Sequence, residues 1–120
     1  MAEVHGLLGR VVLVLVLVTA AWAGALVAAR RPVQPALVGG LVWVVILVWL
    51  TGLLGVTEAV AVGAPDDALH IVYGGLTALV LPGAWAIART RPDPRRTAVV
   101  IAVASIVQVI LVVRLFQTGG

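Results

Sequence analysis

The sequence of 120 residues has no cysteine and no lysine, and it contains only one methionine, one tyrosine and one phenylalanine. Without cysteine the chain can form no disulfide, no thiolate metal site and no covalent c-type haem linkage. Charged residues make up only 11% of the chain, whereas soluble domains average about 25%. These absences exclude a disulfide scaffold, a zinc–thiolate site and thiol chemistry.

The chain is unusually rich in apolar residues. They make up 62% of the chain, and the mean hydropathy is +1.20. This composition leaves too little polar surface to cover a water-soluble globule. The formal charge of +3 is the balance of eight arginines against five acidic residues, and six of the arginines form short clusters beside apolar runs. That placement is typical of a membrane protein and argues against nucleic acid as a partner.

Four apolar segments are long enough to cross a bilayer, whose hydrocarbon core of ~30 Å needs about 20 helical residues. They cover approximately residues 8–29, 33–57, 67–88 and 97–117. The segments are rich in valine, but a lipid-exposed span must satisfy its backbone groups internally, which favours helix over isolated strand. The sequence therefore predicts an all-α membrane protein, with residues 1–120 forming a single up-down bundle of four transmembrane helices.

The arginines predict the orientation of the bundle. Two short connections carry six of them, at positions 30, 31, 89, 91, 95 and 96, whereas the opposite side carries the acids Glu3, Glu58, Asp66 and Asp67. The positive-inside rule then places the arginine loops in the cytoplasm. Both termini are expected on the non-cytoplasmic side of an inner or plasma membrane.

Small and polar residues within the spans predict the helix contacts. Ala98, Ala102 and Ser105 form a stripe on the fourth span that permits close approach, as is common between membrane helices. Gln108 lies close to this stripe and is expected to point inward and to form a hydrogen bond across helices. Pro82 removes a backbone donor from the third span, so we expect a kink there.

Two histidines share the non-cytoplasmic side and suggest a b-type haem site. His5 precedes the first span and His70 opens the third, so their neutral imidazoles could ligate one iron from two helices. The remaining candidates are a glycine near each histidine, an aromatic residue one turn from His70 and two arginines suited to haem propionates: Gly9, Gly74, Tyr73, Arg10 and Arg114.

The order of these elements resembles one four-helix half of haem A synthase. In that family a histidine lies near the outer start of one helix, a Leu-Gly pair closes the next, and a Leu-His pair opens the third. The matching residues are His5, Leu54-Gly55 and Leu69-His70, with the two histidines 65 positions apart. The family's arginine after the first histidine is replaced by Gly6, and its loop cysteine pair and second bundle are absent. The resemblance therefore implies haem binding rather than haem oxidation.

These features predict a small membrane b-type cytochrome or haem-binding protein that transfers electrons, with His5 and His70 as axial ligands. Quinone is a candidate redox partner, since Tyr73 and Trp49 could border a quinone site. The alternative is a non-catalytic subunit that packs within a larger membrane complex or a homo-oligomer. A small multidrug-type transporter has a similar length, but it needs an acidic residue within a span, and no Asp or Glu lies inside the predicted spans, Asp67 being the first residue of the third.

Overall fold

A computed structural model describes residues 2–63 and 68–118 of the chain, and all regular structure in these ranges is helical. The four helices are α1 (Ala2–Ala28), α2 (Pro35–Val62), α3 (Leu69–Ala88) and α4 (Pro94–Thr118). Each is long and apolar enough to cross a membrane. The predicted all-α class with four candidate spans is thereby confirmed.

The helices end where the sequence supplies turn residues. Arg30 has a positive φ of 57°, and the N–H groups of Arg30 and Arg31 bond to the carbonyls of Val27 and Leu26, which is the pattern of a Schellman cap. Gly63 ends α2 with a φ of 126°, a conformation that glycine adopts without the steric cost of a Cβ.

Proline marks the starts of two helices. Pro35 and Pro94 are the first residues of α2 and α4, where the missing N–H costs nothing because the first backbone donors of a helix have no internal partner. Asp66 and Asp67, which could cap α3, lie outside the described residues. Ala68 at the start of α3 provides no side-chain cap.

The helices form a bundle in which each packs against two neighbours. The α3–α4 interface is the most extensive and the α2–α3 interface the least, and α4 also packs against α1. In the described ranges the backbones of α1 and α3 make no close approach, nor do those of α2 and α4. These two pairs are therefore the diagonals of the bundle.

The core consists of small and branched apolar side chains. Val16, Val44 and Leu37 are at most 1% exposed, and Ala98, Ala102 and Ser105 of the predicted stripe are all buried. The outward faces carry many exposed valines, leucines and isoleucines on all four helices. Such an apolar exterior is expected of a bundle whose solvent is lipid.

Gln108 confirms the prediction that it points inward. Its side chain is 1% exposed, and Nε2 donates to the Thr77 carbonyl oxygen at 3.0 Å, which links α4 to α3. The other amide atom, Oε1, is buried without a hydrogen-bond partner. The amide thus makes one hydrogen bond from α4 to α3 and leaves one unsatisfied acceptor in the core.

Helix α3 continues through Pro82 to Ala88. Because proline has no N–H, the carbonyl of Ala78, four residues earlier, loses its usual helical donor. The indole Nε1 of Trp49 donates to this oxygen at 3.1 Å. A residue of α2 therefore satisfies the acceptor that the proline leaves in α3.

Candidate functional site

The imidazole of His5 is held by the backbone of the neighbouring helix. His5 is the fourth residue of α1 and is half-buried, so α1 begins before the predicted span. Its Nδ1 is 3.0 Å from the carbonyl oxygen of Thr51 on α2. Because a carbonyl oxygen only accepts, Nδ1 must carry the proton, and the neutral ring keeps its lone pair on Nε2.

Gly55 provides the space that this ring occupies. A Cβ placed on Gly55 would lie 3.1 Å from His5 Cε1 and 3.6 Å from Nδ1. The first distance is shorter than ordinary van der Waals contact between carbon atoms. The glycine of the Leu54-Gly55 pair therefore permits the histidine to pack closely against α2.

His70 is oriented in a similar way by the last turn of α4. Its Nδ1 is 3.3 Å from the hydroxyl oxygen of Thr118. That hydroxyl also bonds to the Arg114 carbonyl oxygen at 3.0 Å. When it donates its hydrogen to that carbonyl, it accepts from His70 Nδ1–H, and the lone pair of His70 is on Nε2 as well.

The two imidazoles meet across the diagonal of the bundle. Their ring centroids are 6.5 Å apart, and their planes are inclined by 63°. Two imidazoles bound to opposite sides of one metal through Nε2, with bonds of about 2 Å, would have centroids roughly 6 Å apart. Both ring planes contain the bond axis in such an arrangement, so an inclination of 63° is compatible with it.

Arg114 and Tyr73 form a polar group beside the histidines. The Arg114 guanidinium lies over the Tyr73 ring, 5.4 Å from its centroid, at a distance suited to a cation–π interaction. It also donates to Gln117 Oε1 at 2.8 Å and to the Tyr73 hydroxyl at 3.4 Å. Arg114 itself remains exposed, so its charge is available to an anion at this end of the bundle.

Arg10 is not part of this group. Its side chain is exposed and makes no hydrogen bond or ion pair with any residue in the two described ranges. Glu58 is half-buried near the end of α2, and it too has no ion pair within these ranges. An Arg–Glu pair therefore does not account for the arginines at this end.

The two glycines predicted to flank the site face side chains of α4. A Cβ on Gly9 would lie 3.4 Å from Phe116 Cζ, and one on Gly74 would lie 4.0 Å from Leu115 Cδ2. The space beside Gly9 is thus occupied by an aromatic ring that is itself 44% exposed. The predicted open space beside Gly9 is therefore filled by Phe116.

The residues that orient the imidazoles were missed by sequence reasoning. Thr51 contributes only its carbonyl, which no side-chain pattern can reveal. Thr118 is a hydroxyl residue at the end of the fourth span, opposite the start of the third. That position could have identified it as a hydrogen-bond partner of His70. Trp49, considered for a quinone, uses its indole N–H on Ala78, so it has no free donor for a quinone carbonyl.

No cluster of three or more histidine, cysteine or acidic side chains suitable for a metal ion occurs among residues 2–63 and 68–118. Two histidines alone supply too few ligands for a structural ion, which usually needs four. Comparison with protein-family models, with curated proteins and with solved structures gives no match. The candidate site therefore rests on its own geometry.

Proposed function

We propose that the chain is a small membrane protein that binds one b-type haem, with His5 and His70 as the two axial ligands. The observation that carries the proposal is the 6.5 Å separation of two imidazoles whose Nδ1 atoms are both engaged. In metal sites the second nitrogen of a ligating histidine usually donates to a neighbouring acceptor, which fixes the ring and its tautomer. Both histidines meet this requirement.

Haem suits a site with only two protein ligands, because the porphyrin brings four ring nitrogens and needs only axial partners. Bound haem would supply reversible one-electron transfer between ferric and ferrous iron. The chain's own contribution would be to orient the imidazoles through Thr51 and Thr118 and to exclude water from the inner face of the site. Gly55 admits the His5 ring.

Arg114 supports the same proposal through its charge. It is an exposed cation beside the histidine pair, and it has no acidic partner within the described ranges. A haem propionate would provide the missing negative charge through a charge-assisted hydrogen bond. Arg10, which makes no hydrogen bond or ion pair within the described ranges, is the candidate partner of the second propionate.

The proposal includes an orientation in the membrane. We propose an up-down bundle with the arginine connections in the cytoplasm and with both termini and the histidine pair on the outer side, because arginine-rich short loops are retained in the cytoplasm. Reporter fusions at the arginine connections and in the connection between α2 and α3 test this. Cytoplasmic reporter activity from the α2–α3 connection would contradict the orientation.

Haem retention on purification tests the ligands. The protein, expressed with ample haem and purified in mild detergent, should show a Soret band and, after reduction, sharp α and β bands. His70→Ala should abolish retention. Thr118→Val should weaken haem affinity by roughly 10- to 100-fold, as loss of a partner that orients a ligand does elsewhere.

Thr57→Val is the matched control for Thr118→Val. Thr57 also donates its hydroxyl to a helix carbonyl, that of Leu53, but it has no bond to a histidine. Its replacement should leave haem affinity unchanged. A wild-type protein that is folded and colourless would refute the proposal and favour a packing subunit of a larger membrane complex.

A further inference from the structure

The opposite end of the bundle holds a second candidate site, a cleft of about 190 Å³ between the end of α3 and the start of α4. Four residues line it: Trp85, Ala88, Arg89 and Thr97. Three of these four can donate hydrogen bonds from their side chains. The cleft is remote from the histidine pair, and the proposed haem function does not use it.

The donors in this cleft lack acceptors. Among the serines and threonines of the described ranges, seven donate their hydroxyl to a helix carbonyl, and these are Thr19, Thr51, Thr57, Thr77, Thr90, Ser105 and Thr118. Thr97 is the exception, since its half-buried hydroxyl has no such bond. The Arg89 guanidinium and the Trp85 indole N–H also have no acceptor in these ranges.

The other arginines nearby are partly committed to the fold. Arg95 donates to the Val27 carbonyl oxygen at 2.6 Å, and Arg96 donates to the Ile87 carbonyl oxygen at 3.1 Å. Both therefore satisfy carbonyls at helix ends. Arg89 and Arg91 make no such bond, and only Arg89 lines the cleft.

The charge around the cleft favours an anion. Six arginines lie in or directly beside the two connections at this end, and Asp93 is the only acidic residue among them. Asp93 accepts from the backbone N–H of Arg95, so it belongs to the start of α4. An anion rich in oxygen acceptors suits this lining, because its oxygens accept hydrogen bonds from a guanidinium, a hydroxyl or an indole N–H.

The surroundings indicate which anion this is. Trp85, which lines the cleft, is 39% exposed, so a lipid tail can lie against its apolar ring. Tryptophan and arginine are the side chains that membrane proteins place at the headgroup level. We infer that the cleft formed by Trp85, Arg89 and Thr97 binds the phosphodiester of an anionic phospholipid.

Lipid titration of the full-length purified protein tests this inference. The protein in neutral detergent is titrated with phosphatidylglycerol or phosphatidylcholine, and bound lipid is counted by native mass spectrometry. Phosphatidylglycerol should bind several-fold more tightly. The Arg89→Gln variant should bind it about tenfold more weakly, because a charge-assisted hydrogen bond is lost.

Two further variants distinguish lipid binding in the cleft from general electrostatic attraction to the arginines. Arg91→Gln removes the same charge from the same connection outside the cleft and should change affinity by less than about twofold. Thr97→Val keeps all charge and should still weaken phosphatidylglycerol binding. Equal affinity for the two lipids, an equal effect of Arg89→Gln and Arg91→Gln, or displacement of the lipid by excess inorganic phosphate would each overturn the inference.

Discussion

The bond between Trp49 and the carbonyl that Pro82 leaves open makes a sharp prediction about stability. Replacing Trp49 with Phe keeps an aromatic ring and removes the donor to Ala78. Within a membrane no water is present to donate a hydrogen bond to the freed Ala78 oxygen. Interhelical hydrogen bonds in membrane proteins contribute about 0.6 kcal/mol on average and up to about 1.7 kcal/mol, and an unsatisfied acceptor moves the value toward the upper end. We therefore expect Trp49→Phe to lower the free energy of unfolding by about 1 to 2 kcal/mol.

The matched background is Pro82→Ala. Alanine restores an N–H at position 82, which can donate to the Ala78 carbonyl within α3. In that background the indole is no longer the only donor to the Ala78 carbonyl. Trp49→Phe should then lower the free energy of unfolding by roughly 0.5 kcal/mol or less. The double-mutant cycle should thus give a coupling energy of about 1 kcal/mol. Reversible unfolding in mixed micelles, followed by circular dichroism, measures all four proteins. Equal costs of Trp49→Phe in the two backgrounds would refute the reasoning.

Further predictions concern close packing and the buried amide. Gly55→Ala should lower haem affinity by roughly tenfold, because its Cβ would press on the His5 ring and shift a ligand. Gly52→Ala should leave the affinity unchanged, because a Cβ there meets nothing within 4 Å. Haem titration of both variants checks this, and equal affinities would contradict it. Gln108→Leu removes one hydrogen bond and one unsatisfied acceptor. Unfolding measurements should therefore find the free energy of unfolding unchanged or raised by up to about 2 kcal/mol. A decrease of more than about 2 kcal/mol would show that Oε1 has a partner.

The helices could be predicted from the sequence because apolar runs, arginine clusters and prolines delimit them. The start of α1 could not, because residues 2–7 mix polar and apolar types without a clear capping signal. The histidine His5 consequently lies within a helix rather than before one. Its contact with the Thr51 carbonyl depends on packing that no single segment encodes.

The packing faces could be predicted only where a polar or small residue marked them. In a soluble bundle the core face is apolar and the outer face polar, so the pattern shows which side is buried. Here Val16 is buried and Val14 is 60% exposed, yet the two side chains are identical. Gln108 and the stripe of Ala98, Ala102 and Ser105 were predictable because they depart from this uniform background.

The candidate site was predictable in part. The two histidines could be placed on one side of the bundle by counting spans, and the structure brings their rings together. Their partners could not be predicted, because one is a backbone carbonyl and the other depends on where α4 ends. The packing of Phe116 against Gly9 could not be predicted either, because it joins residues more than 100 positions apart in the sequence.

The most direct test of bis-histidine haem binding is the spin state of the ferric iron, measured by electron paramagnetic resonance on the wild type and on the two single variants His5→Ala and His70→Ala. Two imidazole ligands give a low-spin ferric haem, and we expect this signal in the wild type. Each single replacement should remove it, leaving high-spin haem or no haem. A low-spin signal that survives either replacement would contradict ligation by this pair, as would a folded wild-type protein that takes up no haem.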